Sequence, residues 1–320
     1  MDLAFCEVRK ENVRESKGVR RKKKMKKRLL ALLLSGVMVF GLAACSNSEN
    51  SDVTESKETT EETEEQTDVF DDTTITIFAA KSLNGVVDEL IGMYQETQPN
   101  VEILTNYDSS GTLMEQIKEG ATCDLFFSAA QKQMDELEGQ ELVLADTRAN
   151  VVNNQVCVVT YAGSETKVTG LADIGEAESF ALADGSVPVG KYTRQAMVNA
   201  GMLDEVEDVS QVTTEEIASK LGVEINECKN VGDVTTQVAN ASNEVGTVYK
   251  SDTYGLEDQL QILEIVSYEL TGNVIYPIAQ IVNADADDLE KEAALDFLAF
   301  LTSDMAKEIY EKYYFDTNVE

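Results

Sequence analysis

Residues 73–320 read as an α/β protein of two lobes. Strand and helix patterns alternate from Thr74 to Phe127, the alternation starts afresh after Val156–Thr160, and a body of about 250 residues exceeds what one hydrophobic core usually holds. Parallel βαβ units place ligands beyond the carboxyl ends of their strands, so those ends are where chemistry is expected.

Thr74 to Ala79 is a strand run rich in β-branched and aromatic residues. Ser82 is placed to cap a helix carrying Leu83, Val86, Val87, Leu90, Ile91 and Tyr94 at helical spacing, and Pro99-Asn100 ends it. Val101 to Leu104 is the next strand. Ser110-Gly111-Thr112 opens a second helix with Leu113, Met114 and Ile117 on its apolar side. Asp124 to Phe127 is a third strand, followed by a helix near Gln131. The second unit has strands at Val156 to Thr160, Ser179 to Leu182, Lys229 to Val231 and Val245 to Tyr249. Its helices span Gly190 to Ala200, Glu215 to Leu221 and Asp233 to Ala241. Strands at Leu260 to Val266 and Ile275 to Val282 follow, and the chain closes on helices from Leu289 to Leu301 and Ser303 to Tyr313. The boundaries follow as 73–155 plus 277–320 for lobe 1 and 156–276 for lobe 2.

Upstream, Arg21 to Arg28 is basic, Leu29 to Ala44 is apolar, and small residues precede Cys45. That is the anatomy of a secretion signal over residues 1–44. Its ending, Leu42-Ala43-Ala44-Cys45, resembles a lipobox, at which a bacterial peptidase cleaves and leaves Cys45 as the lipidated first residue. Read instead as one spanning anchor, the run is slightly short of the roughly 20 residues a span needs. Met25-Lys26-Lys27-Arg28 supplies an n-region alone, so Met25 is read as the start. Beyond Cys45, Ser46 to Asp72 holds almost no apolar residue and cannot offset chain entropy by burial, so residues 45–72 read as a lipidated, disordered acidic linker. The protein is then extracytoplasmic and lipid-anchored to the cell membrane.

From Cys45 onward the chain holds 14 basic and 55 acidic residues, a formal charge of −41. Such a field repels nucleic acid and anionic lipid. Exposed charges beyond a Debye length of about 8 to 10 Å are screened, so an enclosed cleft with its own donors can still prefer an anion. Histidine is absent, which excludes Ser-His-Asp and Cys-His catalysis and every histidine metal site. Cys123, Cys157 and Cys228 stand far apart in apolar contexts and read as buried free thiols, with one disulfide possible outside the cell.

Four strand-to-helix starts share small, hydroxylic or glycine residues: Ala79 to Ser82, Asp108 to Thr112, Val187 to Gly190 and Lys229 to Gly232. The first N–H groups of a helix lack internal partners and carry partial positive charge, so each start is either an oxyanion site or an ordinary cap. Other patterns are weaker. Gly185 to Lys191 fits GxxxxGK, but Tyr192 stands where a hydroxyl would hold magnesium. Ser164 to Lys167 fits SxxK in a polar turn without companion motifs. Asp285-Ala286-Asp287-Asp288 lacks the glycine of a calcium loop.

Taken in order, Ile77 to Leu83, Ser109 to Leu113, Cys123 to Ala129, Val187 to Tyr192 and Gly246 to Asp252 resemble the molybdate-binding proteins of ABC importers, as do Asn230-Val231, Tyr276 to Ala279 and the closing helix pair. The resemblance covers residues 74–315. It implies a periplasmic-binding-protein type II fold, in which two mostly parallel sheets flanked by helices are joined by two crossover strands near Asn154 to Val158 and Tyr276 to Ala279. It also implies a monomer that is not an enzyme, needs no cofactor, and passes molybdate or tungstate to a membrane permease and ATPase.

Carried across by motif, the oxyanion donors are the hydroxyl and N–H of Ser82 and Ser110, the N–H of Val189 and Val231, and the hydroxyl of Tyr249. Charge-assisted bonds of this kind contribute about 1.5 to 3 kcal/mol each before costs. Selectivity then follows ligand volume, since sulfate is too small to reach every donor of a rigid cage. Lys81 departs from the family's small residue; it either adds a charged contact or points into solvent. The same fold binding sulfate, phosphate or a small carboxylate is the nearest alternative. A hydrolase using Ser82 or Ser164 lacks a visible general base, and a sensory or adhesive lipoprotein is the third reading.

Overall fold

The computed structural model describes residues 69–319; the expected signal, Cys45 and nearly all of the linker lie outside the described residues. The chain begins β1 (Thr73–Ala80), α1 (Asn84–Thr97), β2 (Val101–Asp108), α2 (Ser110–Lys118), β3 (Leu125–Phe127), α3 (Gln131–Gly139) and β4 (Ala149–Asn154). It continues β5 (Val156–Tyr161), β6 (Ser179–Ala183), α4 (Pro188–Asn199), α5 (Thr214–Leu221), β7 (Glu224–Cys228), α6 (Val231–Ala239), β8 (Val245–Tyr249) and β9 (Leu260–Ile265). It ends α7 (Tyr268–Thr271), β10 (Val274–Gln280), α8 (Asp288–Leu301) and α9 (Asp304–Lys312).

Two five-stranded sheets result, ordered β2-β1-β3-β10-β4 and β7-β6-β8-β5-β9. Both are mixed in the same way. β1 pairs parallel with β2 and β3 while β10 is antiparallel to its neighbours; β6 pairs parallel with β7 and β8 while β5 is antiparallel to its neighbours. The chain passes between sheets at Gln155 and again between β9 and β10, and β10 already lies in the first sheet at Val274, three residues before the boundary expected there.

Side-chain alternation explains why β1 is central. Ile75, Ile77 and Ala79 face one way, into a core with Leu83, Val86, Val87, Leu90, Tyr94 and Phe297, whereas Phe78 faces the other, against Leu113, Met114, Ile117 and Met134. Each fully buried side chain of this size contributes about 1.5 to 3 kcal/mol. The Tyr94 ring packs 4.8 Å from Phe297 and its hydroxyl donates to Asp296 at 2.8 Å, tying α1 to α8.

Three local expectations are corrected. The strand expected at Lys229 to Val231 lies at Glu224–Cys228, because Asn230 caps α6 and Val231 already belongs to that helix. The helix expected from Gly190 starts at Pro188, whose fixed φ and missing N–H suit a first helical position. Ser82 is no helix cap: it sits inside a 3-10 turn, Lys81–Leu83, that precedes α1. β4 was not read as a strand. Cys123, Cys157 and Cys228 are free and buried, and burial pushes the Cys157 thiol up to about 12.

Candidate functional site

The segments that follow β1, β2, β3, β6, β7 and β8 converge on one small, tightly closed cavity, lined by Ser82, Ser110 and Ala129 from the first sheet's side and by Val189, Val231 and Tyr249 from the second's. Every oxyanion donor expected from the sequence is therefore in one place. The lining, completed by Ala80, Lys81, Ser109, Val187 and Pro188, contains no carboxylate. Wider hollows on the surface are open and carry Glu205, Glu207, Asp208 and Glu269, or Glu115, Glu136, Glu215 and Glu227, which disfavours an anion.

On the first side the hydroxyls are turned away from their own helices. Ser109 is the cap of α2, its Oγ accepting from the Thr112 N–H at 3.1 Å, so Ser110 is free to reach sideways. Its Oγ accepts the Ala129 N–H at 2.9 Å, and the residue is 1% exposed. Ser82 Oγ lies 2.9 Å from the Tyr276 hydroxyl.

On the second side the chain offers backbone. Val189 and Val231 stand in the first turns of α4 and α6, where N–H groups have no intrahelical acceptor. Asn230 Oδ1 caps α6 by accepting from the Asp233 N–H at 2.9 Å. The turn into α4 is held tightly. A Cβ at Gly190 would collide with the carbonyls of Asp184 and Ala183, so only glycine fits. The fully buried Arg194 donates through Nη1 to Ala183 O at 2.8 Å and Gly190 O at 3.0 Å, and through Nε to Val212 O at 2.7 Å.

Tyr249 ends β8 with 1% of its surface exposed, and its hydroxyl is buried without a hydrogen-bond partner of acceptable geometry. Burial holds the phenol well above its ordinary value, so it stays protonated. A buried hydroxyl left unpaired costs about 1 to 3 kcal/mol, which an anion in the cavity would recover. Beneath it, Asp252 accepts the Tyr249 N–H at 2.9 Å, and enclosure pushes that carboxyl up to about 7 although the residue as a whole keeps some surface.

Lys81 is half-buried and lines the cavity. Its stem crosses to α6: a Cβ at Gly232 would come within 3.0 Å of Lys81 Cγ and Cε. Among the described residues no ion pair involves it. Other contacts span the cleft as well. Lys132 in α3 pairs with Asp208 at 3.5 Å, and the Tyr254 ring lies 4.2 Å from that of Tyr313.

Ser109 was expected within a candidate helix start and Asn154 and Tyr276 within the two crossings, but none of them, nor Ala129, Arg194 or Asp252, as a support of the cavity. Ser109 and Asp252 act through partners three residues away, Thr112 and Tyr249, and Arg194 stands as a charge among the buried residues of α4; Ala129, Asn154 and Tyr276 have partners distant in sequence. No group of three acidic or cysteine side chains able to hold a metal ion occurs among the described residues.

The sequence profile described as "Bacterial extracellular solute-binding protein" matches residues 75–316. A Bacillus subtilis (strain 168) protein named "Putative ABC transporter substrate-binding lipoprotein YvgL" is 27% identical over 287 residues, covering 89% of this chain and 97% of its own. The Haemophilus influenzae protein named "Molybdate-binding protein ModA" is 26% identical over 247 residues, covering 75% and 89%. Among solved structures, the "substrate binding domain of putative molybdenum ABC transporter from Clostridium difficile" is 29% identical, covers 77% of this chain and 99% of its own, and superposes with a TM-score of 0.56. The architecture shared with such structures is the periplasmic-binding-protein type II fold.

Proposed function

The chain belongs to the bacterial extracellular solute-binding protein family, and from that premise we propose that it captures a tetrahedral oxyanion, molybdate or tungstate, between its lobes and delivers it to the permease and ATPase of an ABC importer. Members of this family bind solutes and are not enzymes. The observation that carries the reading is the Tyr249 hydroxyl, buried and unpartnered in a cavity that also receives two serine hydroxyls and two helix starts and holds no carboxylate. The names of the ModA and Clostridium difficile relatives carry molybdate and molybdenum, and that of YvgL carries the ABC transporter and the lipoprotein anchor.

In this reading Ser82, Ser110, Val189, Val231 and Tyr249 supply neutral donors that replace the dianion's hydration. Lobe 1, taken as residues 73–155 with 277–320, and lobe 2, residues 156–276, open and close about the two crossings. The ligand favours the closed state because only there do both sets of donors reach it. Cys45 carries the lipid that keeps the protein at the membrane, and the closed monomer docks on the permease.

Calorimetric titration of the ligand-stripped protein with molybdate, tungstate, sulfate and phosphate tests this. Tight one-to-one binding of molybdate and tungstate is expected, with a thermal shift scaling as RT ln(1 + [L]/Kd). Silence toward both, with a response to sulfate or phosphate, would overturn the ligand while leaving the family role in place.

A further inference from the structure

We propose that residues 313–316 form a strap, a third and non-covalent link between the two sheets beside the two crossings, which holds the cleft closed and slows release of the bound solute. The proposal rests on the capture reading above and adds to it the element that governs how long the closed state lasts.

The strap is fixed first to the side that carries β1. Tyr313, the cap residue of α9, donates its hydroxyl to Glu89 of α1 at 2.9 Å, and Lys312 pairs with the same carboxylate at 2.8 Å. The Tyr313 ring also covers the start of α1, where a Cβ at Gly85 would come within 3.1 Å of it. Phe315 is buried, with its ring edge-on to Tyr276 at 5.6 Å and to Tyr310 at 6.1 Å. Asp316 and Asn153 of β4 exchange backbone hydrogen bonds at 2.7 and 2.9 Å, so the segment ends beside the first crossing. Tyr314, between these anchors, reaches the other side. Its hydroxyl donates to Glu257 at 2.9 Å, the Lys250 ammonium stands 5.8 Å from its ring centroid, and the Tyr254 ring meets it edge-on at 5.6 Å. Tyr254 also packs on Tyr313 at 4.2 Å. All three partners lie between β8 and β9 of the second sheet.

The backbone shows what Tyr314 is for. The Phe315 N–H donates to Tyr310 O at 3.1 Å and the Tyr314 N–H to Glu311 O at 3.0 Å, the pair of bonds that closes a helix when the residue after its cap turns left-handed. Tyr314 is that residue, with φ +64°, a conformation that glycine adopts freely and a bulky side chain does not. Strain of this kind persists where the surroundings over-determine it. The ring contacts that hold Tyr314 are those to the second side. None of residues 313–316 lines the cavity, nor does Tyr254. The strap nevertheless joins its walls, because Lys250 directly follows Tyr249 and α1 directly follows the turn that carries Ser82. Parting the two sides would break these ring contacts, so they favour the closed state without adding a donor.

The test follows release of bound molybdate, chased with excess tungstate, from the full chain and from its Tyr254→Ala, Tyr254→Phe and Tyr314→Gly variants, with thermal melting and small-angle X-ray scattering of the ligand-free proteins. Release should be about tenfold faster in Tyr254→Ala, and Tyr254→Phe, which keeps the ring, should restore it to within about twofold of wild type. Tyr314→Gly suits the left-handed backbone but loses the ring, so its melting temperature should hold or rise while release quickens by about threefold or more. Melting temperatures that fall in Tyr254→Ala and Tyr314→Gly with release unchanged would reduce the segment to packing and overturn the proposal. Scattering needs no anion: Tyr254→Ala should be expanded relative to wild type, and superimposable curves would also overturn the strap. Should the wild type bind neither molybdate nor tungstate, the oxyanion reading fails and scattering alone judges the strap; binding with release unmoved by the variants leaves that reading standing and removes only this one.

Discussion

The two sides of the cavity solve one problem by different means. The first sheet's side presents serine hydroxyls, each hydrogen-bonded to a buried group, Ser82 to the Tyr276 hydroxyl and Ser110 to the Ala129 N–H. The second side presents backbone N–H groups at Val189 and Val231 and one hydroxyl, Tyr249, which makes no well-formed hydrogen bond although the Tyr276 ring packs edge-on against its own. Side-chain donors are lost by a single truncation, whereas backbone donors survive any substitution that leaves the turn in place. The comparison therefore predicts where mutations act directly and where they act only through conformation.

The largest effect is expected where the backbone side loses its geometry. Gly190→Ala forces a Cβ into the carbonyls of Ala183 and Asp184, so the turn that aims the Val189 N–H must move. Anion affinity should fall by about a hundredfold or more, with a stability loss of about 2 to 4 kcal/mol read from thermal or urea unfolding. Arg194→Met should do the same by removing the three hydrogen bonds that tie the carbonyls of Ala183, Gly190 and Val212 together. Normal binding by Gly190→Ala would show that the second side tolerates displacement and would break the comparison.

Next come the side-chain donors. Ser110→Ala removes a donor and also orphans the Ala129 N–H, a loss of about 2 to 3 kcal/mol, or roughly 30- to 150-fold in Kd. Val231→Ala keeps its N–H and should stay within about threefold of wild type. Equal losses in these two titrations would refute the distinction between the sides.

Tyr249→Phe sharpens it further. Because the hydroxyl makes no well-formed hydrogen bond within the protein, its removal should weaken binding by about tenfold yet leave the ligand-free melting temperature unchanged or raised. A drop in ligand-free stability would reveal a partner for this hydroxyl inside the protein.

The same asymmetry decided what was legible in the sequence. β1 and its helix could be read because Ile75, Ile77 and Ala79 alternate with Phe78 across a central strand covered on both faces. β7 could not, since it is an edge strand whose Glu224, Asn226 and Glu227 are exposed and leave only Ile225 and Cys228 as signal. The five cavity residues were legible as motifs. The support behind Ser82 was not, because Tyr276 lies 194 residues from it and meets it only through the fold. Arg194 was missed for a related reason: its partners are carbonyls, which every sequence has.

Asp252 gives a smaller, pH-dependent effect on the second side. Its carboxyl is raised to about 7, so folding takes up a proton between the ordinary carboxylate value near about pH 4 and pH 7. The stability it contributes is present in full below that window and is lost as pH rises through about 7. Asp252→Asn stays neutral and can still accept the Tyr249 N–H, so its melting temperature should pull ahead of wild type from pH 4 to 7 and hold a constant lead above. Wild-type anion affinity should decline a few-fold over the upper part of that window as a charge appears beneath Tyr249. Parallel profiles for the two proteins would remove Asp252 from the account.

Lys81 bridges the sides, and its effect is the smallest. Its stem rests on Gly232 of α6, and its ammonium is the lone full charge on the cavity lining. The −41 charge from Cys45 onward repels a dianion, so added salt, by screening that field, should tighten binding; attraction by Lys81 is screened too and has the opposite sign. Lys81→Met keeps the stem and removes the charge. At low ionic strength it should bind molybdate about two- to fivefold more weakly than wild type, and the gap should close as salt rises. A gap that persists at high salt would instead locate the role of Lys81 in the packing of its stem against α6, making it part of the closure between the two sides rather than a donor to the anion.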